Sequence, residues 1–133
     1  MNKKLGKIEE IVKKELSCSA HSLDHSMRVF NLCKLIAQDE KGVDMEIVEI
    51  AALMHDIGQT RELKDPSGGT DHAIEGAKMA EEILKKDFPT NKIQHIQECI
   101  ISHRFRTQNR PKTKEAQIVF DADKIDGIGA IGI

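Results

Sequence analysis

Apolar residues recur at spacings of three and four along almost the whole chain, and that rhythm decides the fold class. A period near 3.6 gathers such residues on one face of a helix. A chain patterned this way throughout buries its apolar surface by packing helix on helix. Leu5, Ile8, Val12 and Leu16 mark a first helix, and a second spans about 22–38. Asp44 is placed to cap a third, which Gly58 closes as a C-cap. Residues 59–70, containing Asp65-Pro66-Ser67-Gly68-Gly69, read as a mobile loop. Thr70 or Asp71 caps a fourth helix that ends near Phe88 and Pro89, and Thr90 or Asn91 opens a fifth reaching about His103. Residues 104–113 form another loop, and Thr113 caps a sixth helix that stops before Gly127. No useful stretch alternates with the period of a strand, and no repeat or linker divides the chain. The expectation is an all-α bundle of about six helices in one domain covering residues 1–133.

Composition narrows the function. A net charge of −2 announces no basic field for nucleic acid or an anionic membrane. The absence of Trp and Tyr, with only four Phe, argues against base stacking as the main mode of binding. No apolar run approaches the roughly 18 residues of a membrane span. Met1-Asn2-Lys3-Lys4 leads into a charged helix rather than a signal peptide's apolar core. Cys18, Cys33 and Cys99 are odd in number and form no CxxC pair, so they read as reduced thiols, small buried hydrophobes of a cytoplasmic protein. Neither a membrane nor duplex nucleic acid is expected as a partner, and the oligomeric state is left open, a homo-oligomer included.

Four histidines lie in register with the apolar stripe of their own helix. His25 precedes Val29, Leu32 and Ile36; His55 follows Val48 and Ala52; His72 precedes Gly76, Met79 and Ile83; His103 follows Ile96 and Ile100. Each imidazole is thereby placed on a core-facing side, near a helix end. Taken singly, such a histidine is an ordinary core residue with a hydrogen-bond partner. Four of them meeting at one end of a bundle need partners or a metal ion. Asp56 follows His55 directly, and imidazole with carboxylate suits Mn, Fe, Co, Ni or Zn better than Ca or Mg alone. Near the C-terminus the helical wheel does not separate two carboxylates: Asp123 aligns with Ala116 and Val119, Asp121 with Ile118 and Ile125. His21 and His95 read as surface or boundary histidines.

The segments Asp24-His25-Ser26-Met27-Arg28-Val29, Ala52-Leu53-Met54-His55-Asp56-Ile57-Gly58 and Asp121-Ala122-Asp123-Lys124-Ile125-Asp126-Gly127-Ile128-Gly129 resemble the H…HD…D signature of the HD superfamily. The resemblance covers residues 20–133. It implies a helical bundle with a divalent metal on His25, His55, Asp56 and Asp123, and hydrolysis of phosphomonoesters, phosphodiesters or nucleotides. It selects Asp123 over Asp121 and leaves Asp121 and Asp126 as hydrogen-bond acceptors behind the ligands. The order H…HD…H…H…D is similar to that of members holding two metals, so His72 and His103 either bind a second ion or line the pocket and serve catalysis. Arg28 and Lys124 resemble basic positions that meet substrate phosphate. Arg61, Lys64, Arg104 and Arg106 are further cations near the motifs, whereas the Glu/Lys run at 81–86 is a solvated helix face.

The expected chemistry is attack of a metal-activated water on a phosphate ester, of nucleotide type, with Asp56 orienting that water and loop 59–70 closing over the substrate. Two alternatives accompany it: a mixed-valent di-iron oxygenase of the same superfamily, and a non-catalytic module that binds a nucleotide. The apolar, uncharged closing segment from Gly127 to Ile133 reads as the entry to a further element. The expectation is that it packs against the core or a partner chain, or that the natural protein continues beyond it.

Overall fold

The computed structural model describes residues 3–17, 20–69, 71–103 and 110–132. Among them the structure is entirely helical, with six helices of ten residues or more and one of five: α1 Lys3–Glu15, α2 Ala20–Ala37, α3 Met45–Met54, α4 Gln59–Leu63, α5 His72–Leu84, α6 Thr90–Ser102 and α7 Lys114–Gly132. The all-helical expectation holds. Helix α3 is the axis of the bundle, and α1, α2, α6 and α7 all pack on it. Ile50, Ala51, Ala52, Leu53 and Met54 are buried on every side, which is why this helix is apolar all round rather than striped. Leu5, Ile8, Val12 and Leu16 of the first stripe are buried as their spacing requires. Helices α2 and α7 run antiparallel, so that His25 meets Asp126 while Cys33 lies near the Ile118 carbonyl. Helices α5 and α6 are likewise antiparallel: Gln97 Nε2 donates to the Ala77 carbonyl at 2.9 Å.

Three caps follow the sequence. Asp44 accepts from the backbone N–H groups of Glu46 and Ile47, Asp71 from Ala73, and Thr113 Oγ1 from Ala116. Such caps satisfy donors that the first turn leaves orphaned. Thr70 lies outside the described residues. Neither Thr90 nor Asn91 caps α6; the position is held by Pro89, extended and without a side-chain bond.

The largest departures lie around the His-Asp pair. Helix α3 ends at Met54, not at Gly58, and the chain tightens into three-residue turns in which Ile57 N bonds Met54 O and Gln59 N bonds Asp56 O. Gly58 is no left-handed cap, since its φ is −82°. It is needed for close approach: a Cβ there would stand 2.4 Å from the His72 carbonyl oxygen and 2.6 Å from the Gly76 nitrogen. Residues 59–70 are not all loop either. Gln59–Leu63 forms a helical turn packed on α5, and the predicted turn follows it, with Asp65 accepting from Ser67 N and Gly68 at a φ of +71°. Helix α5 ends at Leu84, earlier than the periodicity suggested. Helix α7 continues through Gly127 to Gly132, because no proline or competing side chain interrupts it and Ile125 and Ile128 tolerate helix. Its outer face leaves Ile128 69 % exposed.

Candidate metal centre

The geometry of the turn at 55–58 creates the site. By leaving α3 after Met54, the chain turns His55 and Asp56 toward α2, α5, α6 and α7 at one end of the bundle. His25 comes from the start of α2, His72 from the first residue of α5, His103 from the cap position of α6, and Asp123 from the middle of α7. His55, Asp56 and His103 are buried, while His25, His72 and Asp123 keep partial access to solvent.

All four rings are held the same way. Each Nδ1 is tied outward: His55 to the Ala52 carbonyl at 2.7 Å, His103 to the Ile100 carbonyl, His25 to Asp126 Oδ2 at 2.6 Å, and His72 to Glu62 Oε2 at 3.0 Å. Carbonyls and ionised carboxylates only accept, so each Nδ1 carries the hydrogen. The four Nε2 atoms therefore turn inward, where a neutral ring has only a lone pair. His25 Nε2 and His55 Nε2 face each other at 3.2 Å, and both face Asp123 Oδ1, at 2.8 and 3.5 Å. Asp56 divides its two oxygens. Oδ2 lies 3.7 Å from His25 Nε2 and 3.6 Å from His55 Nε2, whereas Oδ1 lies 3.2 Å from His72 Nε2 and 3.4 Å from His103 Nε2.

Lone pairs and carboxylates packed this closely repel unless a cation sits among them. Protons meet part of that need in the metal-free chain. The hydrogen bond with Asp123 raises the His25 pKa despite burial. Burial works to lower that of His55, but the Asp56 and Asp123 charges outweigh it and carry the value up to about 9. Burial likewise resists ionisation of Asp56 and Asp123, yet the surrounding imidazoles hold both far below the usual carboxylate range. His103 goes the other way: burial dominates and favours its neutral form, the form that ligates metal.

The donor set fits metal ions. Among the described residues, His25, His55 and Asp56 form one group able to hold an ion, His55, His103 and Asp123 a second, and Asp56, His72 and His103 a third. Ligand atoms about 2.1 Å from one tetrahedral ion stand about 3.4 Å apart. His25 Nε2 and His55 Nε2 stand 2.8 to 3.7 Å from each other and from Asp56 Oδ2 and Asp123 Oδ1. Imidazole with carboxylate suits a divalent transition metal.

The matching HD-domain family model spans residues 22–128. This chain belongs to the HD-domain family. A solved structure described as a predicted HD superfamily hydrolase, from an uncultured Thermotogales bacterium, superposes with a TM-score of 0.79 at 29 % identity, covering 94 % of this chain and 72 % of that one. Among curated proteins, ribonuclease Y of Lawsonia intracellularis is 32 % identical over 113 residues, 84 % of this chain but 19 % of its own length. The 3'-5' exoribonuclease YhaM of Bacillus subtilis is 26 % identical over 119 residues, 77 % of this chain and 37 % of its own. This HD-domain chain thus spans a minor part of both enzymes. An uncharacterized protein of Clostridium beijerinckii, 29 % identical, is covered over 69 % of its length.

The HD-domain cluster brings together His25, His55, Asp56, His72, His103 and Asp123. Asp121 is exposed on α7, whereas Asp123 Oδ1 stands 2.8 Å from His25 Nε2. Arg28 clamps Asp126 through Nε at 2.7 Å and Nη2 at 3.2 Å. Lys124 lies over the Phe120 ring, 5.3 Å from its centroid. Arg61 pairs with Glu75 at 3.1 Å, and His95 bonds Thr113 Oγ1 at 3.2 Å, outside the cluster. Arg104, Arg106 and the His21 side chain lie outside the described residues. Glu62 was not singled out from the sequence: it sits ten residues from His72 on a single turn of helix, too short to carry periodicity. No helix among the described residues is long and apolar enough to cross a membrane.

Proposed function

We propose that the chain is a metal-dependent phosphohydrolase acting on a phosphate ester, with a nucleotide as the substrate class. The observation that carries this reading is the division of Asp56, whose two oxygens face two separate sets of inward-turned imidazoles. His25, His55, Asp56 and Asp123 would hold one divalent ion, and Asp56, His72 and His103 a second. When bound, such ions lower the pKa of water and neutralise charge on a phosphoryl group. The residues themselves orient and hold. Asp56, ionised and fixed between the two sets, accepts a hydrogen bond from a water beside it and fixes the direction of that water's lone pair. His72 and His103 carry their hydrogens at Nδ1, turned away from the cluster, which favours a ligand role over proton donation from Nε2. Arg28 uses Nε and Nη2 on Asp126 and is half exposed, so Nη1 is the nitrogen those bonds leave to meet a substrate oxygen. Lys124, on the solvent side of α7, supplies a second positive charge for phosphate, though Phe120 rather than the cluster is its neighbour.

Similarity to ribonuclease Y and to the exoribonuclease YhaM favours the phosphodiester of RNA within the same reaction class. The test is a phosphate-release and chain-shortening screen with Mn, Co, Ni and Mg over nucleoside mono-, di- and triphosphates and short oligoribonucleotides. Metal-dependent release from any of them, lost in Asp56→Ala, supports the proposal. Dioxygen consumption by an iron-loaded protein without phosphate release would replace it with the oxygenase reading, and tight nucleotide binding without turnover with the binding-module reading.

A further inference from the structure

The histidines are fixed from behind by two backbone carbonyls, the Arg28-clamped Asp126 and Glu62. Glu62 differs from the rest in where it stands. It belongs to α4, a single helical turn that lies against α5. Its Oε2 accepts from two donors of one residue, the ring Nδ1 of His72 at 3.0 Å and the backbone N–H of His72. That N–H is the first of α5 and has no intrahelical partner, and a carboxylate at this end also meets the helix dipole favourably. One oxygen therefore fixes both where α5 begins and which way the ring of its first residue is turned. With Nδ1 holding the hydrogen, Nε2 is left with its lone pair aimed at Asp56 Oδ1, 3.2 Å away.

We propose that Glu62 is the positioning residue for His72, and that through this contact α4 controls occupancy of the second metal position. The inference rests on the two-ion reading above. Carboxylates placed behind metal-bound imidazoles are worth about 10–100-fold in metal affinity. The loss should fall on the ion held by Asp56, His72 and His103 and spare the one held by His25, His55, Asp56 and Asp123.

The experiment titrates Co²⁺ into the chelator-stripped full chain, reading stoichiometry by calorimetry and the visible absorption of each bound ion. Wild type should take two ions. His72→Ala and Glu62→Ala should weaken the second by about 10-fold or more and leave the first unchanged. Glu62→Gln, whose amide oxygen still accepts from both donors, should restore the second ion to within a few-fold. Glu75→Ala removes the Arg61–Glu75 pair from the same α4–α5 contact without touching His72, and should bind as wild type. Equal losses in Glu62→Ala and Glu75→Ala would reduce Glu62 to a strap and overturn the proposal. So would a Glu62→Ala protein that binds both ions normally while His72→Ala does not. A wild type that takes a single ion, or a His72→Ala protein that keeps two, would sink the two-ion reading and this inference with it. Should Glu62→Ala not fold, zinc-loaded wild type decides by nitrogen NMR: His72 must be ligated at Nε2 with its Nδ1 proton slow to exchange, and ligation at Nδ1 overturns the proposal.

Discussion

Replacing Gly58 with alanine adds one methyl group at a very tight backbone approach. The new Cβ would stand 2.4 Å from the His72 carbonyl oxygen, 2.6 Å from Gly76 N and 3.2 Å from Glu75 C, where real Cβ atoms keep at least 3.0 Å. All three obstacles are backbone, so no side-chain rotation relieves the clash. The first turn of α5 must retreat by about 0.6 Å, the step from 2.4 to 3.0 Å. Overpacking of this kind costs about 1–3 kcal/mol. In a domain of this size that lowers Tm by roughly 3–15 °C. The local effect is more diagnostic. His72 opens α5 and must retreat with it, whereas metal–ligand distances tolerate about 0.2 Å. Gly58→Ala should therefore lose the ion on Asp56, His72 and His103 before the ion on His25, His55, Asp56 and Asp123. Thermal unfolding of the stripped protein and Co²⁺ stoichiometry of the loaded protein read the two effects separately. A Gly58→Ala protein with the Tm and the metal content of wild type would refute the close-approach argument.

Protonation gives a second prediction. The His55 pKa is raised from 6.5 to about 9, so its stabilisation is fully present below about pH 6.5 and is lost as pH rises through about 9; that of His25 is also raised, so its contribution has the same sign and is lost as pH rises through its own native value. Asp56 and Asp123 are depressed, so theirs is present above pH 3.8 and is lost only as pH falls through their native values. The metal-free protein should thus have a lower Tm at about pH 9 than at about pH 6.5, and loading with metal should shrink that difference because deprotonated ligands bind ions more tightly; a metal-free Tm that rises across this range contradicts the assignment. Arg28→Ala should lower turnover of phosphate esters while the metal content stays, and turnover equal to wild type removes Arg28 from the substrate's path. His103→Ala should bind one ion fewer than wild type, measured by elemental analysis, and an unchanged content would take His103 out of the ligand set.

The helices were legible because their apolar spacing reports burial directly. The same spacing pointed to His25, His55, His72 and His103, whose rings gather at one end of the bundle. Choosing Asp123 over Asp121 rests on the resemblance, because each carboxylate aligns with apolar residues along the wheel. What the sequence did not yield depends on contacts between segments distant along the chain. Gly58 looked like a helix stop but is a clearance for α5, a requirement set by the distant His72 and Gly76 backbone. Glu62 sits on one helical turn, and nothing in its local pattern points to His72. Arg28 reads as a phosphate-facing cation from its charge and the resemblance, and neither reveals that Asp126 already engages two of its nitrogens.

The division of Asp56 between two imidazole sets is the central claim, and the metal content of Asp56→Ala beside wild type tests it most directly. Both proteins are stripped, reloaded with Mn²⁺ or Co²⁺, passed through a desalting column and measured by elemental analysis, with circular dichroism confirming that each is folded. Wild type should retain two ions per chain. The variant, deprived of the carboxylate common to both positions, should retain neither in stoichiometric amount. A folded Asp56→Ala protein that keeps the wild-type metal content would contradict the account.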